Sequence, residues 1–109
     1  MSYDELLAQK IQDWISSRPD FEAKKLFGGI GFMLNGNMAC GVYQRYLIVR
    51  VGPDAYADVL EKPHTRPFDI TGRPMTGWVL VDPEGIAADE QLRSWVQMGI
   101  DFSLTLPAK

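Results

Sequence analysis

The 109-residue sequence holds one cysteine, Cys40, and one histidine, His64. An internal disulfide and a multi-cysteine metal cluster are excluded, and no histidine-rich metal site can form. No run approaches the ~20 apolar residues of a membrane-spanning helix. The opening "MSYDELLAQK" is acidic and amphipathic, unlike a signal peptide. A basic excess is missing too. The net charge is −3 and the pI about 5.0, whereas a grip on nucleic acid needs a basic face, so direct nucleic-acid binding is disfavoured. These absences describe a cytoplasmic protein with no membrane association, no metal and no cofactor.

The length suits one domain spanning residues 1–109. Three tryptophans and five phenylalanines supply bulky core material, so wholesale disorder is excluded. Residues 2–17 read as a helix, opened by the capping-box spacing of Ser2 and Glu5. Tyr3, Leu6, Leu7, Ile11, Trp14 and Ile15 give it one apolar stripe, and Pro19 stops it. A strand follows over residues 21–27. Then come "IGFML", an Asn35-Gly36 step and "MACGVY", a strong hairpin signal because both turn residues tolerate positive φ. "YLIVRV" (46–51) is the clearest strand, with Gln44 and Arg45 as the tight turn before it. This part of the chain predicts a meander of three strands or so.

Pro53 opens a short helix with Ala55, Tyr56, Val59 and Leu60 on its apolar face, and Pro63 ends it. The proline-rich stretch 63–77 predicts an edge strand around Phe68–Thr71 and a loop over 72–76. "GWVLV" (77–81) is a further strand, Asp82-Pro83-Glu84-Gly85 a turn, and residues 88–105 the last helix. Gly99 interrupts that helix, at a propensity cost of about 1 kcal/mol, which a close approach to the sheet would explain. The predicted order is α-β-β-β-α-β-β-α. That is a two-layer α+β domain with a mainly antiparallel sheet of about five strands and three helices.

The segment "KKLFGGIGFMLNGNMACGVY" (24–43) carries five glycines. A dinucleotide fingerprint would need a helix after its glycines, and a phosphate loop would need Gly-Lys-Ser/Thr. Neither is present, since a β-like run follows. Gly28, Gly29, Gly31 and Gly36 are therefore read as structural, permitting turns, bulges or close packing.

"KKLFGGIGFMLNGNMACGV", "LIVRVGPDAY", "RPFDITGRPMTGWVLVDPEG" and "LRSWVQMGIDFSLTLP" together resemble the N-terminal domain of the TfoX/Sxy family, over nearly the whole chain and in the expected order. That family is named for bacterial regulators of natural competence. The resemblance implies a small α/β domain, similar to the type III secretion chaperone-like fold, and brings no catalytic residues. Full-length competence regulators carry a second, C-terminal helical domain, and this chain is expected to be a single-domain member lacking it. The implied function is a non-enzymatic regulatory or protein-interaction domain, in transcription control, with a protein partner.

Among other constellations, His64, Arg66, Asp69 and Arg73 lie close together in the proline-rich stretch. Two guanidiniums could fork a carboxylate or phosphate and the histidine could titrate near neutrality, giving an anionic-metabolite site or a minor enzyme. Otherwise these are solvated charges. Cys40, between Ala39 and Gly41 in a strand, reads as a buried core cysteine. Lys24, Lys25, Arg45 and Arg50 read as solvated strand-edge charges rather than a nucleic-acid patch. Asp82, Glu84, Asp89 and Glu90 flank the start of the last helix, where they suit its dipole. Trp95 is expected to pack with Leu92 and Val96 against the sheet. Finally, "YLIVRV" and "GWVLV" are apolar on both faces, which predicts a homodimer through sheet or edge surface near these strands.

Overall fold

The computed structural model describes residues 3–26, 28–69 and 72–108. Helix α1 spans Glu5–Ile15. Its cap is Asp4, whose Oδ1 accepts from the Leu7 amide at 3.1 Å, rather than Ser2, which lies outside the described residues. Leu7, Ala8, Ile11 and Ile15 are buried. Leu6, placed on the stripe from sequence, is 80% exposed. Its spacing to Leu7 fits a wide stripe, but the helix meets the sheet along a narrower line.

Four hairpin-linked strands follow, not three: β1 (Phe21–Leu26), β2 (Gly29–Leu34), β3 (Asn37–Tyr43) and β4 (Tyr46–Arg50). Asn35 (φ 52°) and Gly36 (φ 84°) form the left-handed pair that a two-residue hairpin demands. Helix α2 (Tyr56–Leu60) leads to β5 (Thr65–Pro67), then β6 (Trp78–Val81), a 3₁₀ turn at Pro83–Gly85, and α3 (Asp89–Ser103). The sheet is six-stranded and antiparallel throughout, in the order β1-β2-β3-β4-β6-β5.

The edge strand is therefore at Thr65–Pro67 and not at Phe68–Thr71; Ile70 and Thr71 lie outside the described residues. Two interactions account for the shift. The Thr65 hydroxyl lies 3.1 Å from the Val59 carbonyl and 2.8 Å from that of Lys62, tying β5 to the end of α2. Phe68 then leaves the ladder to bury its ring beside Trp78, with centroids 6.2 Å apart. Pro67, which cannot donate to a ladder, sits on an edge as it must.

Both long helices lie on one face of the sheet, with α3 over β3 and β4. Ile11, Phe32, Leu47, Val49, Leu92 and Val96 lead the core between them. At Gly99 the helix comes so close that a Cβ would overlap the carbonyl oxygen of Ala39. The other sheet face has a smaller cluster of its own. There Met38, Ile48, Phe68 and Leu80 are buried, with Met33, Tyr43, Tyr46 and Trp78 packed around them. No described helix is long and apolar enough to cross a membrane.

Candidate functional site

The helix-free face is built by strand alternation. Along β4, Leu47 and Val49 turn to the helices, while Tyr46, Ile48 and Arg50 turn the other way. On β6, Trp78 and Leu80 do the same. The β4–β6 register sets Ile48 opposite Leu80 and Arg50 opposite Trp78, so side chains far apart in sequence become neighbours. The Arg50 guanidinium lies 5.0 Å from the Trp78 ring centroid and 5.5 Å from that of Phe102. Tyr46 is flanked by two more guanidiniums, Arg66 at 5.3 Å and Arg45 at 5.9 Å. Such cation–π stacking holds the rings half out of the sheet with their faces covered by charge.

Arg66 is also committed to Asp82. Its Nε lies 2.9 Å from Oδ1, and its Nη2 donates to Oδ2 at 3.2 Å. The hydrogen bond and the charge of Asp82 raise the Arg66 pKa above its usual value. Arg45, Tyr46, Arg66, Asp82, Pro83 and Glu84 line a shallow depression of about 440 Å³.

The predicted quartet is not assembled. His64, with a left-handed φ of 68°, lines a different groove on the α3 side with Lys62, Gln91, Ser94, Trp95 and Met98, about 280 Å³ in volume. Asp69 and Arg73 stand exposed in the loop that follows β5. An anion fork between Arg66 and Arg73 would first have to displace Asp82. Trp95 is half-buried beside His64, whereas Leu92 and Val96 are buried in the core. Helical spacing put Trp95 next to that stripe, but the ring falls at its margin.

The remaining candidates are placed as follows. Gly28 (φ 80°) and Gly36 have positive φ. Gly29 and Gly31 lie in β2, a strand, so no helix N-terminus follows the glycines. Cys40 is fully buried, and desolvation pushes its thiol up to about 12, leaving it neutral and unreactive. Lys24 and Lys25 are exposed on β1, far in sheet order from the stacked Arg45 and Arg50. Asp89 pairs with Lys10 at 3.0 Å, and Asp89 and Glu90 sit in the first turn of α3. Among the described residues no cluster of three or more His, Cys, Asp or Glu side chains could hold a metal ion.

Sequence reasoning missed the aromatic–arginine face. Its signal was present in the alternation of "YLIVRV" and "GWVLV", but only the β4–β6 register brings the two halves together.

An α+β domain with a six-stranded antiparallel sheet, helices on one face and an aromatic–arginine face on the other defines the class. The family model of the TfoX N-terminal domain matches residues 13–103, and the chain belongs to that family. Among solved structures it is similar to a protein from Pseudomonas syringae determined by structural genomics, with a TM-score of 0.61 and 13% identity over 87% of this chain and 97% of that one. That likeness is one of fold. No curated protein matches the chain.

Proposed function

We propose that the protein is a non-enzymatic regulatory domain that works by docking a protein partner on the helix-free face of its sheet. The observation that carries this reading is the composition of that face. Tyr43, Tyr46, Trp78 and Met33 are half-buried around a small apolar cluster, with Arg45, Arg50 and Arg66 beside them. Tyrosine, tryptophan, methionine and arginine are the residue types enriched where proteins bind proteins. Rings already held by packing and stacking lose little conformational freedom on binding, which favours affinity. Family membership supports a regulatory role, and the net charge of −3 favours protein over nucleic acid as the partner.

The test is capture from native lysate with wild-type protein and with a Met33→Glu variant, both checked for fold by circular dichroism. Met33 lies on β2 at the rim of the cluster. The reading expects a protein enriched by wild type and lost with the variant. Equal recovery by both, or no enrichment in repeated captures, contradicts it.

A further inference from the structure

The sequence predicts a homodimer through sheet or edge surface near β4 and β6; both of these strands are paired on both sides, so neither offers an edge of its own. The sheet has two edges: β5, three residues long and ending in Pro67, which cannot donate to a ladder, and β1, six residues long at the opposite end. Glu22, Ala23, Lys24 and Lys25 are all exposed along it. The helices lie over β3 and β4, leaving room beside β1. We propose that β1 pairs with β1 of a second copy of this chain, antiparallel and centred on Ala23, joining two six-stranded sheets into one. This seam borders the helix-free face, Glu22 standing opposite Met33, but it is a backbone edge, and its test reads the mass of the protein alone, so its failure is distinguishable from failure of the docking reading.

Backbone geometry restricts the register. The Asn35 amide donates to the Asp20 carbonyl at 2.9 Å. In an antiparallel ladder the hydrogen-bonded pairs alternate. Hence the even-numbered residues Glu22 and Lys24 direct their amides and carbonyls to β2, and the odd-numbered Phe21, Ala23 and Lys25 direct theirs to the open edge. The Phe21 amide turns back to the Arg18 carbonyl at 3.4 Å, as an outward group can. Outward groups meet only when odd residues oppose odd residues. A two-fold axis centred on any residue of β1 satisfies that condition.

Charge then selects among these registers. Centring on Phe21 sets Asp20 against Glu22. Centring on Glu22, Lys24 or Lys25 sets that residue against its own copy. Centring on Ala23 sets Glu22 against Lys24 twice, in a non-hydrogen-bonded pair where side chains come closest. It also sets Lys25 against the ring of Phe21. The Ala23 amides donate to each other's carbonyls, and each Lys25 amide donates to the Phe21 carbonyl across the axis. Lysines on a free edge guard it against indiscriminate pairing. Here the same charges reject the registers centred on Phe21, Glu22, Lys24 and Lys25, and Ala23 alone gives two opposite-charge pairs with no like-charge pair, so specificity comes from repulsion as much as attraction. In the dimer both helix layers lie on one side.

Light scattering coupled to size exclusion, over a dilution series from high micromolar concentration, tests this. Wild type should give twice the 12.3 kDa of the chain. Glu22→Lys and Lys24→Glu should each be monomeric, and the double variant dimeric again. Mixing the two single variants should also restore the dimer, because position 22 of each chain then meets the opposite charge at position 24 of the other. Both positions are exposed, and circular dichroism verifies folding. A wild type that stays at monomer mass overturns the proposal. So does a dimer indifferent to Glu22→Lys, or a failure of both the double variant and the mixture to restore it.

Discussion

Replacing Gly99 with alanine opposes two effects whose magnitudes differ. In an exposed helix interior the change should stabilise by about 1 kcal/mol. In α3 the new Cβ would overlap the carbonyl oxygen of Ala39 and lie 3.1 Å from its carbonyl carbon. The obstruction is backbone in a central strand, not the end of a flexible side chain, so it cannot yield locally. The helix must lift, and Leu92, Val96 and Ile100, all buried on the same face, lose contact with the sheet together. Overpacking costs typically 1–3 kcal/mol and occasionally more, and a clash with backbone belongs at the upper end. The net expectation is a loss of about 2 kcal/mol, after subtracting the propensity gain. In a domain of this size that lowers the melting temperature by roughly 10 °C. Urea denaturation measures it as a fall in midpoint with unchanged slope. Ser94→Ala, at an exposed position of the same helix, serves as control and should be neutral or slightly stabilising. If Gly99→Ala proves neutral or stabilising, the close approach of α3 to β3 is refuted.

Three further outcomes are expected. Trp95→Ala should cost about 1–2 kcal/mol in chemical denaturation, below the 3–5 of a fully buried tryptophan, because the ring is only half-buried. The buried Cys40 thiol, held at about 12 against 9.0 when free, binds its proton more tightly in the folded state. Its contribution is therefore full below pH 9.0 and is lost as pH rises from there to about 12. At a pH midway through that window, wild type should have lost about 2 kcal/mol relative to its own value at pH 8, a loss absent from Cys40→Ala in parallel urea titrations. Asn37, 2% exposed, donates to the Pro107 carbonyl at 2.9 Å; Asn37→Ala should cost about 1 kcal/mol and speed hydrogen exchange of the Thr105 and Leu106 amides.

Local chemistry made much of the fold legible. Asn35-Gly36 and Gln44-Arg45 mark their hairpins because turn conformation is a property of a few residues, and all three positive-φ positions among them lie where these turns fall. The proline-rich stretch was misread because its strand is fixed by hydrogen bonds from Thr65 back to the end of α2 and by burial of Phe68 against Trp78, neither visible in spacing. The same holds for the site. The cluster of His64, Arg66, Asp69 and Arg73 is close in sequence, yet His64 precedes β5 with a left-handed backbone (φ 68°) and lines the groove beside α3, while Arg66 within β5 reaches Tyr46. Tyr46 and Trp78 are far apart in sequence and share a face only because β6 inserts between β4 and β5. Long-range register, which periodicity does not encode, decides that second case.

Site-directed photo-crosslinking in living cells tests the proposed docking face most directly. A photoreactive residue replaces Met33 on the helix-free face, or Gln97, exposed on α3. A discrete protein adduct formed from position 33 and absent from position 97 is the predicted result. No adduct at position 33, or the same adduct from both positions, would contradict it.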